Sequence, residues 1–441
     1  MQIIYHLIVF YITVHLIWYI FREKKFWNQL SAAIVLIVLS LRLLLINKKL
    51  RGKEKHQHKS FILQDRKMKR HHLTGLLIIV MTLGIGFVTA REFRGMHKQE
   101  PVYPSPHLTS QKKLGTYFPG IKDTPGDTDV YIFESPKKGG SLLILGGTHP
   151  NEPAGFITAI LLIENLEIDR GKVIIVPRAN NSGFMHSDPQ EGNPQRYSLQ
   201  TPDGKRWFRY GSRLTNPIHQ WPDPVLYVNP SGQKLSGTES RNLNRCYPGR
   251  RHGFLTEKIA YGIMELIRKE GVDLAIDLHE AAPEYPVINA MVFHDNSAEL
   301  AALALMRLQM EDIDIRLEAS PPNLRGLSHR EWGDSAQTMA ILLETANASH
   351  GRLKGKPTPS LILDGKDKNY VKAAQLGRLF VPFDEEGIPL KQRVSRHLAS
   401  LNALITSLEE LHPELSIRLK NTPSAIELQK NGIGAFLRSQ K

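Results

Sequence analysis

A histidine and a glutamate three residues apart, His149 and Glu152, stand in the run Gly146-Gly147-Thr148-His149-Pro150-Asn151-Glu152-Pro153. At that spacing an imidazole and a carboxylate turn to the same side, the arrangement a divalent ion needs for two of its ligands. The spacing alone is a weak sign. With 18 His in the chain, roughly one such pair arises by chance at ordinary Glu frequencies, and the second copy, His97 with Glu100, reads as solvated linker. The first copy gains weight from a third donor, His279, in Val272-Asp273-Leu274-Ala275-Ile276-Asp277-Leu278-His279-Glu280. Two His and one Glu leave a fourth position open, as a catalytic rather than a structural zinc set does.

Two further groups carry chemistry. Arg241, Asn244 and Arg245 stand in Glu239-Ser240-Arg241-Asn242-Leu243-Asn244-Arg245. Guanidinium forks grip carboxylates, and Asn244 adds a directed hydrogen bond, so the segment reads as a holder of an anionic substrate, with a solvated turn as the bland alternative. Glu344 ends the apolar run Met339-Ala340-Ile341-Leu342-Leu343. A carboxylate beside an activated water can take its proton and pass it to a leaving group, although Glu after a strand is also a common helix-start or ion-pair residue.

The positioning elements follow from apolar periodicity. Leu142–Leu145 reads as a buried strand stopped by two glycines, and Pro153 suits the first turn of the helix that follows. Strands are expected at 130–133, 142–145, 173–176, 274–278, 290–293 and 340–343, and helices at 154–166, 255–269, 298–310 and 394–411. Such alternation predicts an α/β fold, a mixed, mostly parallel twisted sheet with helices on both faces, whose ligands collect beyond the carboxyl ends of the strands. The region 182–245 is rich in Gly, Pro, Arg and aromatic residues with little periodicity, and a loop region that long is usually functional.

The chain has 441 residues and a net charge of +14, but residues 1–90 hold 14 Lys+Arg against 3 Asp+Glu, leaving 43 against 40 in the rest. A nearly neutral globular part argues against nucleic acid as a partner. One cysteine, Cys246, excludes an internal disulfide framework. Ile3–Ile20, Ala32–Ile46 and Leu73–Ala90 are apolar stretches of near-spanning length, with Arg42 inside the second. Ten Lys/Arg between Asn47 and His72 mark a cytoplasmic segment and send everything after Ala90 across the membrane. A three-span reading leaves Arg22, Lys24 and Lys25 on the wrong side. A signal peptide starting at Met68, with a basic n-region, an apolar stretch to Phe87 and cleavage at Val88-Thr89-Ala90, removes the conflict. Both readings export the globular region. The expected organisation is a membrane-spanning or signal region at 1–90, a linker or lead-in strand at 91–117, a catalytic domain at 118–411 and a polar tail at 412–441.

His149-Pro150-Asn151-Glu152, Pro177-Arg178-Ala179-Asn180-Asn181-Ser182-Gly183-Phe184, Asn242-Leu243-Asn244-Arg245, Asp277-Leu278-His279 and Leu343-Glu344 occur in the order seen in zinc carboxypeptidases. Over about residues 120–410 the chain resembles the succinylglutamate desuccinylase/aspartoacylase branch of that superfamily. The resemblance implies one zinc ion on His149, Glu152 and His279, Asn244 and Arg245 on the substrate carboxylate, and Glu344 as general base and acid. It also implies an arginine at the oxyanion, a role for which Arg209, Arg213 and Arg241 compete. The implied activity is zinc-dependent amide hydrolysis, of deacylase or carboxypeptidase type, on a small peptide or N-acyl amino acid outside the cytoplasm. The rival from another class is a membrane-tethered protein that binds such a ligand without cleaving it, against which an intact Glu344 counts.

Overall fold

The two N-terminal helices carry long apolar runs with few charged residues between their ends. The computed structural model describes residues 2–22, 31–33, 35–36, 70–188 and 192–439. They divide into two units, Met1–Lys98 and Gln99–Lys441. In the first unit, helices run over Gln2–Arg22 and Arg70–Met96, and Ile20 and Ile78 cluster with Ala32, Ala33 and Leu36. Leu73–Gly95, 23 residues, is long and apolar enough to cross a membrane, whereas Tyr11–Ile20 is apolar but shorter. The second helix passes through Val88, Thr89 and Ala90 without a break. Most of the expected second apolar stretch and of the basic segment after it lies outside the described residues.

The second unit is built on an eight-stranded sheet. Its strands are β1 (Ser110–Lys113), β2 (Asp129–Glu134), β3 (Ser141–Leu145), β4 (Lys172–Val176), β5 (Leu274–Ala281), β6 (Ala290–Phe293), β7 (Arg316–Ala319) and β8 (Met339–Ala346), in the order β1-β2-β4-β3-β5-β8-β6-β7. The centre, β4-β3-β5-β8, is parallel, as is β6-β7; β1-β2, β2-β4 and β8-β6 are antiparallel. Every residue of β3 is buried, as expected of a strand covered on both faces. Leu142 and Ile144 belong to one core with helices α1 (Pro153–Asn165) and α5 (Leu390–Leu411), and Leu143 and Leu145 to the other with α2 (Leu255–Glu270). Helices α3 (Ala298–Met310) and α4 (Ser328–Ala336) complete the two layers. This is the mixed, mostly parallel α/β sheet that the periodicity predicts.

The chain leaves β3, passes through α1 and returns as β4 on one side of β3, while β5 pairs with its other side. Connections that diverge in this way open a crevice beyond the carboxyl ends of β3 and β5. Gly147 turns the chain there with φ +66°, a conformation favouring glycine. At Gly155 a Cβ would stand 2.4 Å from the Leu278 carbonyl oxygen, so only glycine lets α1 lie this close to β5.

The long region after Ser182 is not structureless. It forms two antiparallel hairpins, Arg196–Thr201 with Gly204–Arg209 and Leu226–Val228 with Lys234–Ser236, and the second is followed by two short 3-10 turns. Nor is Glu100 solvated: it is buried with its carboxylate 3.1 Å from Arg178 Nη1. The reason is that residues 99–108 lie along the domain, with Ser105 N–H bonded to the Ile163 carbonyl and Tyr103 N–H to Glu164. At the other end of the chain, Leu428, Ile433 and Leu437 are buried in the α1–α5 core.

Candidate metal centre

His149 and Glu152 sit in the turn between β3 and α1, and His279 lies near the carboxyl end of β5, where it pairs in register with Glu344 of β8. The two His Nδ1 atoms lie 3.1 Å apart, and the Glu152 oxygens reach one each, at 2.7 Å from His149 and 2.9 Å from His279. All three side chains are buried, and one ligand atom from each falls within 4.8 Å of the others. Glu152 occupies the N-cap position of α1 without capping it; its carboxylate is committed to the cluster and to the Glu280 N–H at 3.0 Å.

The outer nitrogens show that the set suits a metal. His149 Nε2 lies 2.9 Å from Asn242 Oδ1, and the Asn242 amide donates to Glu239 at 2.8 Å, which fixes its oxygen as the acceptor. His279 Nε2 lies 2.9 Å from Asp277 Oδ2. Asp277 in turn accepts from Thr148 Oγ1 at 2.8 Å and Ser328 Oγ at 2.6 Å. Each outer nitrogen thus has an acceptor within 2.9 Å, a setting in which an ion taking the inner nitrogen would leave the ring proton outward, as in metal-ligating histidines. His149, Glu152 and His279 form a cluster able to hold a metal ion.

Charge at the centre follows from burial and neighbours. Burial, with Arg213 adding, lowers His149 to about 4 against the pull of Glu152. Burial opposes ionisation of Glu152, but the two histidines outweigh it and hold the carboxyl well below its usual range. Burial likewise opposes charge on His279, and Asp277 and Glu152 overcome it, holding the imidazole well above its ordinary value. Glu344 moves the other way. Burial, assisted by the Glu152 charge, raises it to about 8 although His279 pulls against the shift, and its buried Oε2 has no hydrogen-bond partner.

A cleft of about 510 Å³ opens beside the cluster, with Glu152, Glu344, Asn242, Arg213, Arg245 and His350 among its walls. Of the three residues expected at the substrate, Arg245 lines the cleft, its Nη1 donating to the Asn244 carbonyl at 2.7 Å. Asn244 is buried beneath it, its Oδ1 accepting from the Ser328 N–H at 2.8 Å. Arg241 is drawn to another partner, with Nε and Nη2 on the two Asp223 oxygens at 2.7 and 2.9 Å. Of the arginines competing for the oxyanion, Arg209 is buried with its Nε on the Phe184 carbonyl, whereas Arg213 stands at the cleft with Nη1 2.8 Å from Glu152. Sequence reasoning assigned no role to Asn242, Asp277 or His350. The first two lie inside the family-like motifs, which was the available signal, and Asp277 also stands close before His279 in sequence; His350, whose Nε2 is 2.6 Å from the Asn151 carbonyl, gave none.

The fold and cluster together define an α/β protein with a two-histidine, one-carboxylate centre at a sheet crevice. No family model matches the chain, and no curated protein does. Among solved structures, it is similar to a succinylglutamate desuccinylase/aspartoacylase from Rhodobacter sphaeroides, at 17% identity and TM-score 0.31 over 49% of this chain and 51% of that one. It is also similar to a metallo-carboxypeptidase from Burkholderia cenocepacia, at 13% identity and TM-score 0.40 over 73% and 68%. A third is the tripeptide-bound cell shape determinant Csd4 from Helicobacter pylori, at 13% identity and TM-score 0.40 over 69% and 60%. The match spans about half the length of the Rhodobacter protein.

Proposed function

We propose that the protein is a zinc-dependent hydrolase of amide bonds, acting outside the cytoplasm on a small peptide or N-acyl amino acid that carries a carboxylate. The observation that carries this reading is the convergence of two inward-facing imidazole nitrogens and Glu152 next to a half-buried Glu344 whose buried Oε2 has no hydrogen-bond partner. His149, Glu152 and His279 would hold one zinc ion, which supplies Lewis acidity by lowering the pKa of a water to about 7 and polarising a carbonyl.

The chain's own residues do the rest. Glu344 takes the proton of the attacking water and returns it to the leaving amine. A carboxyl raised to about 8 by burial would have its pKa lowered again by a cation in the cluster, which suits a group that must act as both base and acid. Arg213, half-exposed and aimed into the cleft, is placed to steady the developing oxyanion, a role worth about 3 kcal/mol. Arg245 holds the substrate carboxylate, and the exposed Arg352 on the far wall of the cleft adds to the positive field.

Hydrolysis of a panel of peptides and N-acyl amino acids, with chelator and after zinc is restored, tests the reading. Turnover that chelation removes and zinc restores is expected. Tight ligand binding with no turnover of any member would favour the non-catalytic binder. In the active enzyme, amidating the substrate carboxylate should reduce turnover, and Arg245→Ala should hardly distinguish the acid from its amide. Equal cleavage of acid and amide by the unaltered enzyme would make Arg245 structural.

A further inference from the structure

Five apolar side chains of one loop face solvent: Ile218 is 85% exposed, Trp221 73%, Val225 102%, Leu226 52% and Val228 40%. Single exposed apolar residues are ordinary, but several on one short segment mark a contact surface. The loop is held in place. Besides gripping Asp223 with Nε and Nη2, Arg241 donates from Nη1 to the Thr215 carbonyl at 3.0 Å, so one guanidinium ties both ends of 215–223. Gln220 anchors the middle, accepting from the Thr256 N–H at 2.9 Å and donating to the Ser240 carbonyl at 2.9 Å. A loop fixed with its apolar tips outward has already lost the entropy that binding would otherwise cost.

Its surroundings indicate what it meets. Lys234 stands opposite Val228 in the hairpin, Arg250 Nη2 donates to the Val228 carbonyl at 2.9 Å, and Arg251 is exposed nearby. On the other flank His219 Nδ1 lies 2.8 Å from Ser182 Oγ, and the adjacent Asn181 accepts from Gln99 Nε2 at 3.1 Å. Gln99 is the first residue of this unit, and the apolar segment Leu73–Gly95 ends four residues before it. Four residues reach at most about 14 Å. The loop is thus next to the point where the chain departs toward the apolar segment Leu73–Gly95.

We propose that loop 217–228 is a membrane-surface contact, in which Ile218, Trp221 and Val225 enter the boundary between headgroups and acyl chains while Lys234 and Arg251 meet anionic headgroups, Arg250 being paired with Glu257 at 2.7 Å. Tryptophan favours that boundary, and apolar burial combined with basic charge is what holds peripheral segments on it. The inference rests on Leu73–Gly95 lying in a bilayer. It also accounts for Arg241, the residue next to the Asn242 that holds His149, as the fastener of the loop that rests on the lipid.

The test uses the full chain reconstituted into vesicles of phosphatidylcholine and phosphatidylglycerol. An environment-sensitive fluorophore is attached at Ile85→Cys, Val225→Cys or Met306→Cys; the native Cys246 is fully buried. Met306 is 61% exposed on α3, which packs on the sheet face opposite α2. Quenching by acyl-chain spin labels is expected at Ile85 and Val225, at Val225 at least about threefold stronger than at Met306, and falling to the Met306 level in Ile218→Ser plus Trp221→Ser. A Val225 label quenched no more than the Met306 label while the Ile85 label is quenched overturns the loop contact alone. No quenching at Ile85 overturns the membrane reading and the proposal with it. Disulfide linkage between two Val225→Cys chains without lipid quenching assigns the patch to a second copy and also overturns it.

Discussion

Helix α1 carries a buried glutamate at each end, and the two have opposite fates. Glu164, in the last turn, receives Arg206 Nη1 at 2.7 Å and Nη2 at 2.5 Å, together with the N–H groups of Tyr103 at 3.1 Å and Arg438 at 2.9 Å. One anion meets one cation, and backbone donors fill the remaining acceptor positions. Glu152, at the first turn, meets two imidazoles whose inner nitrogens face each other across 3.1 Å. Two imidazoles and a carboxylate converging this closely are Lewis bases that a single cation can bridge. A buried carboxylate does not make a site; converging Lewis bases do.

The comparison can be broken most directly at the Glu152 end. His149→Ala with His279→Ala should abolish both turnover and metal binding, with elemental analysis falling from about one ion per chain to none; full metal content in this variant would put the ion elsewhere. Next in size, Glu344→Gln should lower kcat by about 10²–10⁴ with metal content unchanged, because an amide cannot accept the water's proton. Retained activity would move the base to another residue. At the Glu164 end, Arg206→Ala should cost about 3–5 kcal/mol in urea denaturation by stranding a buried carboxylate, yet the folded fraction should keep its metal. Loss of metal at full stability would erase the distinction between the two ends.

The smallest effect belongs to a third carboxylate, Glu270, which sharpens the comparison from the surface side. Burial would raise it, but Tyr117, Lys172 and Lys112 outweigh that and lower it from an ordinary 4.5 to about 2. A carboxyl depressed on folding stabilises the fold above the unfolded value, and the contribution is lost as pH falls through the folded one. Glu270→Gln should therefore be less stable than the unaltered chain above pH 4.5, with the gap closing toward pH 2 in denaturation measured across that range. A gap independent of pH would mean packing, not charge, is what the residue contributes.

Apolar runs ending in a candidate site residue were legible because a strand covered on both faces must be mostly apolar, and polar residues near its carboxyl end mark the crevice; Asp277 and His279 on β5 and Glu344 on β8 stand out this way. The helices from Pro153 and Leu255 were equally plain from periodicity. The supporting network was not legible, since its partners are remote in sequence: Thr148 and Asp277 are 129 residues apart, and Ser328 lies 51 beyond Asp277. Strands β1 and β7, of four residues each, are too short and too polar to show a period, and sheet pairing alone creates them. Arg241 illustrates the limit from the other side. Side-chain chemistry made it a candidate for an anionic ligand, and it does bind a carboxylate, but the carboxylate belongs to Asp223 of its own chain.

The register that sets His279 beside Glu344 has a consequence in time. Synthesis delivers His149 and Glu152 first, and His279 follows Glu152 by 127 residues, on the order of ten seconds at ribosomal rates of about 5–20 residues per second. Until β5 and then β8 have been made and paired, the growing chain offers an ion only a bidentate stub and no base. On the proposed function a partly made chain would be catalytically silent, and the last strand added at the centre of the sheet would be the one that arms it.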